Sequence, residues 1–305
     1  MSKLRISSSP HIRSGASTQK IMADVLIALI PCGIASVLVF GTGSLLIIAV
    51  SVAASVLSEY ISRRVMKRPN SISDLSAAVT GVLYALTLPV GTPVYVVVLG
   101  AVFAVVVAKQ LFGGLGCNIV NPALAGRAFM LISFTAQFAD CAPVASDAVS
   151  GATPLAGSYA AGTLSYWQLA VGAYGGAIGE TCKIAILIGL VYLLVRRIIS
   201  IRIPAVMLAS AALMSLCLGR DPLFDLLTGG IMFGAVFMAT DYATSPLSAW
   251  GQVIYAALCG IITVLIRQFG AYPEGTMFAI LLMNIATPLI DKLIRPRVFG
   301  EVKAK

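Results

Sequence analysis

The feature that most constrains this chain is an apolar run that keeps returning. Stretches such as Val94 to Ala108, VYVVVLGAVFAVVVA, carry no charge and no break, and runs approaching the roughly 20 residues needed to cross a ~30 Å hydrocarbon layer recur from one end of the sequence to the other. They are continuous rather than alternating, which selects helices over a membrane barrel. With 59% apolar and 11% charged residues and a mean hydropathy of +0.96, against about 25% charged in soluble domains, the chain reads as an all-α integral membrane protein. It leaves no stretch for a soluble catalytic domain.

Ten spans are predicted: Ile21 to Phe40, Ser44 to Ile61, Ile72 to Pro89, Val94 to Gln110, Pro122 to Phe138, Gly172 to Val195, Ile203 to Leu218, Leu223 to Thr240, Gln252 to Arg267 and Met277 to Leu293. The third, fifth and eighth contain Gly, Thr or polar residues and are expected to be broken or re-entrant. Short loops rich in Lys and Arg stay in the cytoplasm. Placing both termini there puts 18 of the 21 basic residues on that side: Lys3, Arg5, Arg13, Lys20, Arg63, Arg64, Lys67, Arg68, Lys109, Arg127, Arg196, Arg197, Arg202, Lys292, Arg295, Arg297, Lys303 and Lys305. Topology therefore accounts for the net charge of +9 without nucleic acid, and the basic ends suit anionic lipid. Residues before Ile21 lack a cleavage site of small residues, so the first span is read as retained. The six cysteines are dispersed and have no metal-ligand spacing.

The two halves echo one another. Lys109-Gln110 closes the fourth span and Arg267-Gln268 the ninth; Thr80-Gly81 is answered by Thr228-Gly229, and Pro93 by Pro246, at offsets of 158, 148 and 153 residues. An odd number of spans per copy would make this an inverted repeat, an architecture that places broken helices and their polar ends near the bilayer midplane; chance similarity among Gly-rich apolar helices is the competing reading. The expected organisation is a cytoplasmic arm (1–20), a first five-helix repeat (21–138), an extracytoplasmic loop (139–165), a second repeat (166–293) and a cytoplasmic tail (294–305).

Three stretches carry chemistry. The loop holds Asp147-Ala148-Val149-Ser150-Gly151-Ala152-Thr153, a hydroxyl among very small neighbours with no Lys, Arg or His beside it to act as a base. That makes Thr153 a residue to be modified rather than a nucleophile. The second stretch, with Gly113, Gly114, Gly116, Asn118, Asn121, Pro122 and Arg127, permits close backbone approach to a flat ligand, with amides and a cation at hand. It fits equally a tight turn capped by Asn ahead of a helix that starts with Pro. The third is Thr240-Asp241-Tyr242-Ala243-Thr244-Ser245-Pro246. An acid at membrane depth is a functional candidate, so Asp241, Asp74 and Glu59 are candidates for an ion pathway; interfacial anchoring or helix capping is the competing reading. Glu180 precedes Lys183 by three positions and is expected to pair with it.

These stretches resemble, in order, the D-x-x-S/T-G-A-T flavinylation motif, the G-G-x-G-x-N-x-x-N-P-A-L-x-x-R-A-F signature and the T-D-x-x-T-S-P pattern of the RnfD/NqrB family, formed by RnfD of the Rnf complex and NqrB of the sodium-pumping NADH:quinone oxidoreductase. The resemblance implies a flavin-carrying membrane subunit of an ion-translocating ferredoxin:NAD+ oxidoreductase in a prokaryotic cytoplasmic membrane. It implies FMN joined through its phosphate to Thr153 by a flavin transferase, with Asp147, Ser150, Gly151 and Ala152 completing the motif. It also implies a second, non-covalent flavin, riboflavin in NqrB, touching the glycine–asparagine stretch. Other subunits of the complex are the implied partners, and Na+ or H+ the implied cargo. A channel or permease without redox chemistry, or a scaffold protein, remains the alternative that composition alone allows.

Overall fold

The computed structural model describes residues 17–135, 165–172, 174–270 and 274–294, and among these all regular structure is helical. In chain order the helices are α1 (Thr18–Phe40), α2 (Thr42–Val65), α3 (Ser76–Leu86), α4 (Val94–Val102), α5 (Pro122–Ser133), α6 (Tyr166–Val171), α7 (Lys183–Val195), α8 (Arg202–Cys217), α9 (Pro222–Leu227), α10 (Ile231–Phe233), α11 (Ala249–Phe269) and α12 (Thr276–Leu293). Four of them, α1, α2, α11 and α12, are long and apolar enough to cross a membrane. The outward surface is itself apolar: Leu38 is 78% exposed and Val195 75%, as expected where lipid rather than water is the solvent.

Polar residues, accordingly, turn inward. On α2 the serines at 44, 51, 55, 58 and 62 are all buried, and Ser51 Oγ donates to the Gly81 carbonyl of α3 at 2.7 Å. Small hydroxyl residues allow close helix approach and supply a hydrogen bond where no water can. Glycines do the same between α4 and α5, where a Cβ on Gly126 would lie 2.7 Å from the Gly100 carbonyl oxygen and 2.9 Å from Ala104 Cβ. Gly126→Ala is therefore expected to lower stability by about 1–3 kcal/mol through overpacking, seen as an earlier thermal melt in detergent; an unchanged melt would show that the crossing has slack.

Most predicted spans coincide with helices, but three are interrupted. In the third, a single 3-10 turn (Ile72–Asp74) and a left-handed Leu75 precede α3. In the eighth, α9 and α10 are separated at 228–230. These were expected to be breakable. The sixth corrects the prediction: Gly172 to Val195 is not one helix. Gly172, at φ 93°, ends α6, residues 174–182 form turns and bends, and α7 begins only at Lys183. The backbone of this break finds partners in another break, since Ile178 N–H donates to Leu88 O at 2.9 Å and Gly179 N–H to Leu86 O at 2.7 Å, both just past or at the end of α3. Non-helical backbone at membrane depth is tolerated only when protein satisfies it in this way. The fifth span is shorter than predicted, α5 ending at Ser133.

Two helices continue as π-helix, α4 through Phe103–Gln110 and α10 through Gly234–Met238. Such wide turns cluster at functional sites. Here the first leads to Lys109 and the second to Thr240 and Asp241.

Candidate functional site

Six segments meet around a cavity of about 90 Å3. The start of α1 contributes Ile21, Met22 and Val25, and the start of α3 contributes Ser76, Val79, Thr80 and Leu83. Lys109 comes from the π-helical end of α4, Asn118 and Asn121 from the turn before α5, Ile198 and Ile199 from beyond α7, and Val236, Phe237, Thr240, Asp241 and Tyr242 from the second π-helix and its exit. The cavity thus brings together the second and third sequence stretches, which lie more than a hundred residues apart. Its walls are mostly aliphatic and aromatic, with a few amide, ammonium and carboxylate groups among them, the usual composition of a small-molecule site.

Each polar group there is held for a local reason. Asn121 caps α5: its Oδ1 accepts from Ala123 N–H at 3.0 Å and Leu124 N–H at 3.3 Å, while Nδ2 donates to Met238 O at 3.3 Å. Asn118 Nδ2 donates to Val120 O at 3.1 Å, and the side chain also faces Asp241. Asp241 closes its own turn, accepting from Thr244 Oγ1 at 3.2 Å and Ala243 N–H at 3.4 Å. Gly113, Gly114 and Gly116 all have positive φ, at 128°, 101° and 83°, so the turn they form is closed to ordinary side chains. A Cβ on Gly114 would also press on the Arg63 guanidinium, 2.5 Å from its Nη2.

Glu59 and Asp74 are joined beside the cavity through Lys109. Glu59 has no exposed surface. Its Oε2 accepts from Lys109 Nζ at 3.0 Å, and its Oε1 accepts from Gln110 Nε2 at 2.9 Å and Ser71 Oγ at 2.5 Å. Lys109 Nζ also donates to Ser76 Oγ at 2.5 Å, and that hydroxyl donates to Asp74 Oδ1 at 2.6 Å. Asp74 Oδ1 also accepts from the N–H of Ser76, the first residue of α3, at 2.8 Å. The sequence had put Lys109 among cytoplasmic loop charges; the structure buries it as the centre of this network. The Lys-Gln echo at 109 and 267 was the signal that could have found it.

Arg127 does not join the cavity. It lies inside α5, 8% exposed, with Nη1 donating to Glu180 Oε1 at 2.7 Å and Nη2 to Glu274 Oε2. The structure thus does not bring it together with Asn118 and Asn121 at the cavity: its guanidinium faces two carboxylates. The expected Glu180–Lys183 ion pair is corrected too: Lys183 Nζ donates to the main-chain oxygens of Glu180, at 2.5 Å, and Gly229, at 2.7 Å. Glu274 drew no attention in the sequence, since a single acid between two spans looks like an ordinary loop residue.

Thr153, Asp147, Ser150, Gly151 and Ala152 lie outside the described residues. The chain is next described at Ser165, whose side chain caps α6 in a reciprocal box with Gln168. The neighbouring Tyr166 hydroxyl donates to Asp221 at 2.6 Å, and this carboxylate pushes the phenol above its ordinary pKa.

Comparison with known proteins decides the relationship. Residues 5–300 match the model of the NQR2, RnfD, RnfE family. The chain belongs to that family. It is 46% identical over 310 residues to the D subunit of the Na+-translocating ferredoxin:NAD+ oxidoreductase complex of Acetobacterium woodii, covering 99% of this chain and 97% of the relative. The D subunit of the proton-translocating ferredoxin:NAD+ oxidoreductase complex of Clostridium ljungdahlii is 38% identical, with 97% and 96% covered. The D subunit of the ion-translocating oxidoreductase complex of Salmonella typhimurium is 34% identical, with 98% and 99% covered. The apolar exterior and four span-length helices agree with a membrane subunit.

Proposed function

We propose that this chain is the D subunit of an ion-translocating ferredoxin:NAD+ oxidoreductase, incomplete as an enzyme alone, and that it carries two flavins. The observation that carries the reading is end-to-end similarity, at 46% identity, to a protein so named, together with the flavinylation-type motif from Asp147 to Thr153. FMN is held as a phosphoester on Thr153, placed there by a flavin transferase. The second flavin, riboflavin or a close relative, occupies the cavity lined by Asn118, Asn121 and Asp241. Phe237, Val79, Leu83 and Val236 offer a flat apolar slot, while Asn118, Lys109 and Asp241 offer the donors and acceptor that a pyrimidine edge requires. When bound, the flavins supply the one- and two-electron chemistry that the protein's own side chains lack. The chain's residues bind, orient and exclude water.

The membrane arrangement proposed with it has both termini cytoplasmic, the cavity at that face and the Thr153 loop outside. Support for an inverted repeat comes from matched ends. Lys109-Gln110 and Arg267-Gln268 both reach polar groups beside an interrupted helix: Lys109 meets Ser76 before α3, and Arg267 Nη2 donates to Thr228 O before α10 at 3.1 Å. The cargo is Na+ or H+, both couplings occurring among the named relatives.

The test is mass spectrometry of the peptide containing Thr153 from protein produced together with a flavin transferase. The expected mass is that of the peptide plus FMN less water. A bare peptide from such material overturns the flavoprotein reading.

A further inference from the structure

The flavin chemistry leaves unused the charged cluster of Arg127, Glu180 and Glu274, none of which lines the cavity. Two glutamates reach the cluster from separate elements, Glu180 from the break before α7 and Glu274 from the turn before α12. One guanidinium takes both, each terminal nitrogen donating to a different carboxylate. They converge again over Gly230, where an added Cβ would run into a carboxylate oxygen of each, and where the main-chain N–H donates to Glu274 Oε1 at 2.8 Å. That added Cβ would lie 2.4 Å from Glu274 Oε1 and 2.5 Å from Glu180 Oε1, which puts the two carboxylate oxygens within 5 Å of one another.

That proximity has a chemical requirement. Ionised carboxylates are acceptors only, so two of them side by side in a dry site repel. A single proton turns the repulsion into a strong O–H···O bond. Other charges face the pair from every side, but are engaged elsewhere. Lys183 on α7 donates to the Glu180 and Gly229 carbonyls, and Arg267 on α11 donates to the Asp225 and Thr228 carbonyls. Asp225 is held by Arg220, and among the described residues the titratable neighbours Tyr84, Tyr174 and Cys182 are neutral in their ordinary forms. Arg127 is itself incompletely satisfied, its Nε having no partner although the residue is more than nine-tenths buried.

We infer that Glu180 and Glu274 form a proton-binding dyad clamped by Arg127 where the interrupted segments 174–182 and 228–230 meet. On loading, a proton from water adds to an oxygen of one glutamate, and the new O–H donates to the other carboxylate. On release that O–H bond breaks, the proton returns to water and both carboxylates stay on Arg127; no electron moves. This site does not depend on the flavin reading, and its test needs no flavin.

The experiment is infrared spectroscopy of the purified full-length chain in lipid nanodiscs at neutral pH, comparing H2O with D2O. The wild type should show a protonated-carboxyl C=O stretch that shifts in D2O, and Glu180→Gln and Glu274→Gln, both close in shape to the native residue, should each lose it. Absence of the band in the wild type, its persistence in both variants, or its loss in only one overturns the shared proton. Should a variant fail to fold, isotopic labelling of glutamate carboxyl carbons in the wild type decides: the band must move with that label, and a band that moves only with labelled aspartate overturns the dyad.

Discussion

Glu59→Ala is expected to cost about 3–5 kcal/mol, the usual range for stranding one partner of a buried ion pair, and so to leave little folded protein after extraction in mild detergent. The reason is that Lys109 is 2% exposed and has only Ser76 as its other hydrogen-bond partner among those described. Gln110 Nε2 and Ser71 Oγ lose their acceptor in the same stroke. Replacing both charges, Glu59→Leu with Lys109→Met, removes the uncompensated ammonium and should recover much of the loss. The measurement is a double-mutant cycle on thermal or denaturant unfolding in one detergent. Coupling of well under about 0.5 kcal/mol, below what contacting residues normally show, would mean that the pair is not the strut the geometry makes it. Because Lys109 also lines the cavity, the double variant should bind free riboflavin less well even where its stability has returned.

Thr153→Ala should abolish covalent flavin altogether. A phosphoester needs a hydroxyl oxygen, and alanine offers none. Fluorescence in a denaturing gel, from cells that also make a flavin transferase, should fall from a clear band to background while the amount of membrane-inserted protein holds steady. A variant that keeps its fluorescent band places the attachment elsewhere. Cavity-bound flavin is released by denaturation and does not contribute, so this result speaks only to the loop. The non-covalent site is read separately, from flavin in the supernatant after acid precipitation.

Much of the fold was legible because the bilayer imposes one rule on every span. Each backbone polar group must be satisfied within the segment, so a charge-free run of adequate length becomes a helix wherever it falls. That logic located α1, α2, α8, α11 and α12 to within a few residues and marked the third and eighth spans as breakable. It failed at Gly172 to Val195, where hydropathy reads as one span. What divides that stretch is the pairing of Ile178 and Gly179 with carbonyls at the end of α3, a long-range bond that leaves no periodic trace. The same limit explains Lys109 and Arg127. Both were counted on the cytoplasmic side by the rule that short basic segments stay there, which counts charges without asking what neutralises them. Glu59, Glu180 and Glu274 come from distant parts of the chain, and only packing shows that they reach those cations.

Sequence alone determined that the chain lives in lipid, that it is helical, which family it resembles and which threonine is the candidate for modification. These depend on local composition and short motifs, and neither needs a partner far along the chain. Tertiary structure decided where the helices break, that the glycine–asparagine turn and the Thr-Asp turn share one cavity, and that Arg127 meets a pair of glutamates. The physical reason is that a charge removed from water must find its counter-charge by proximity, and proximity between residues 53 or 147 positions apart exists only after the bundle has closed.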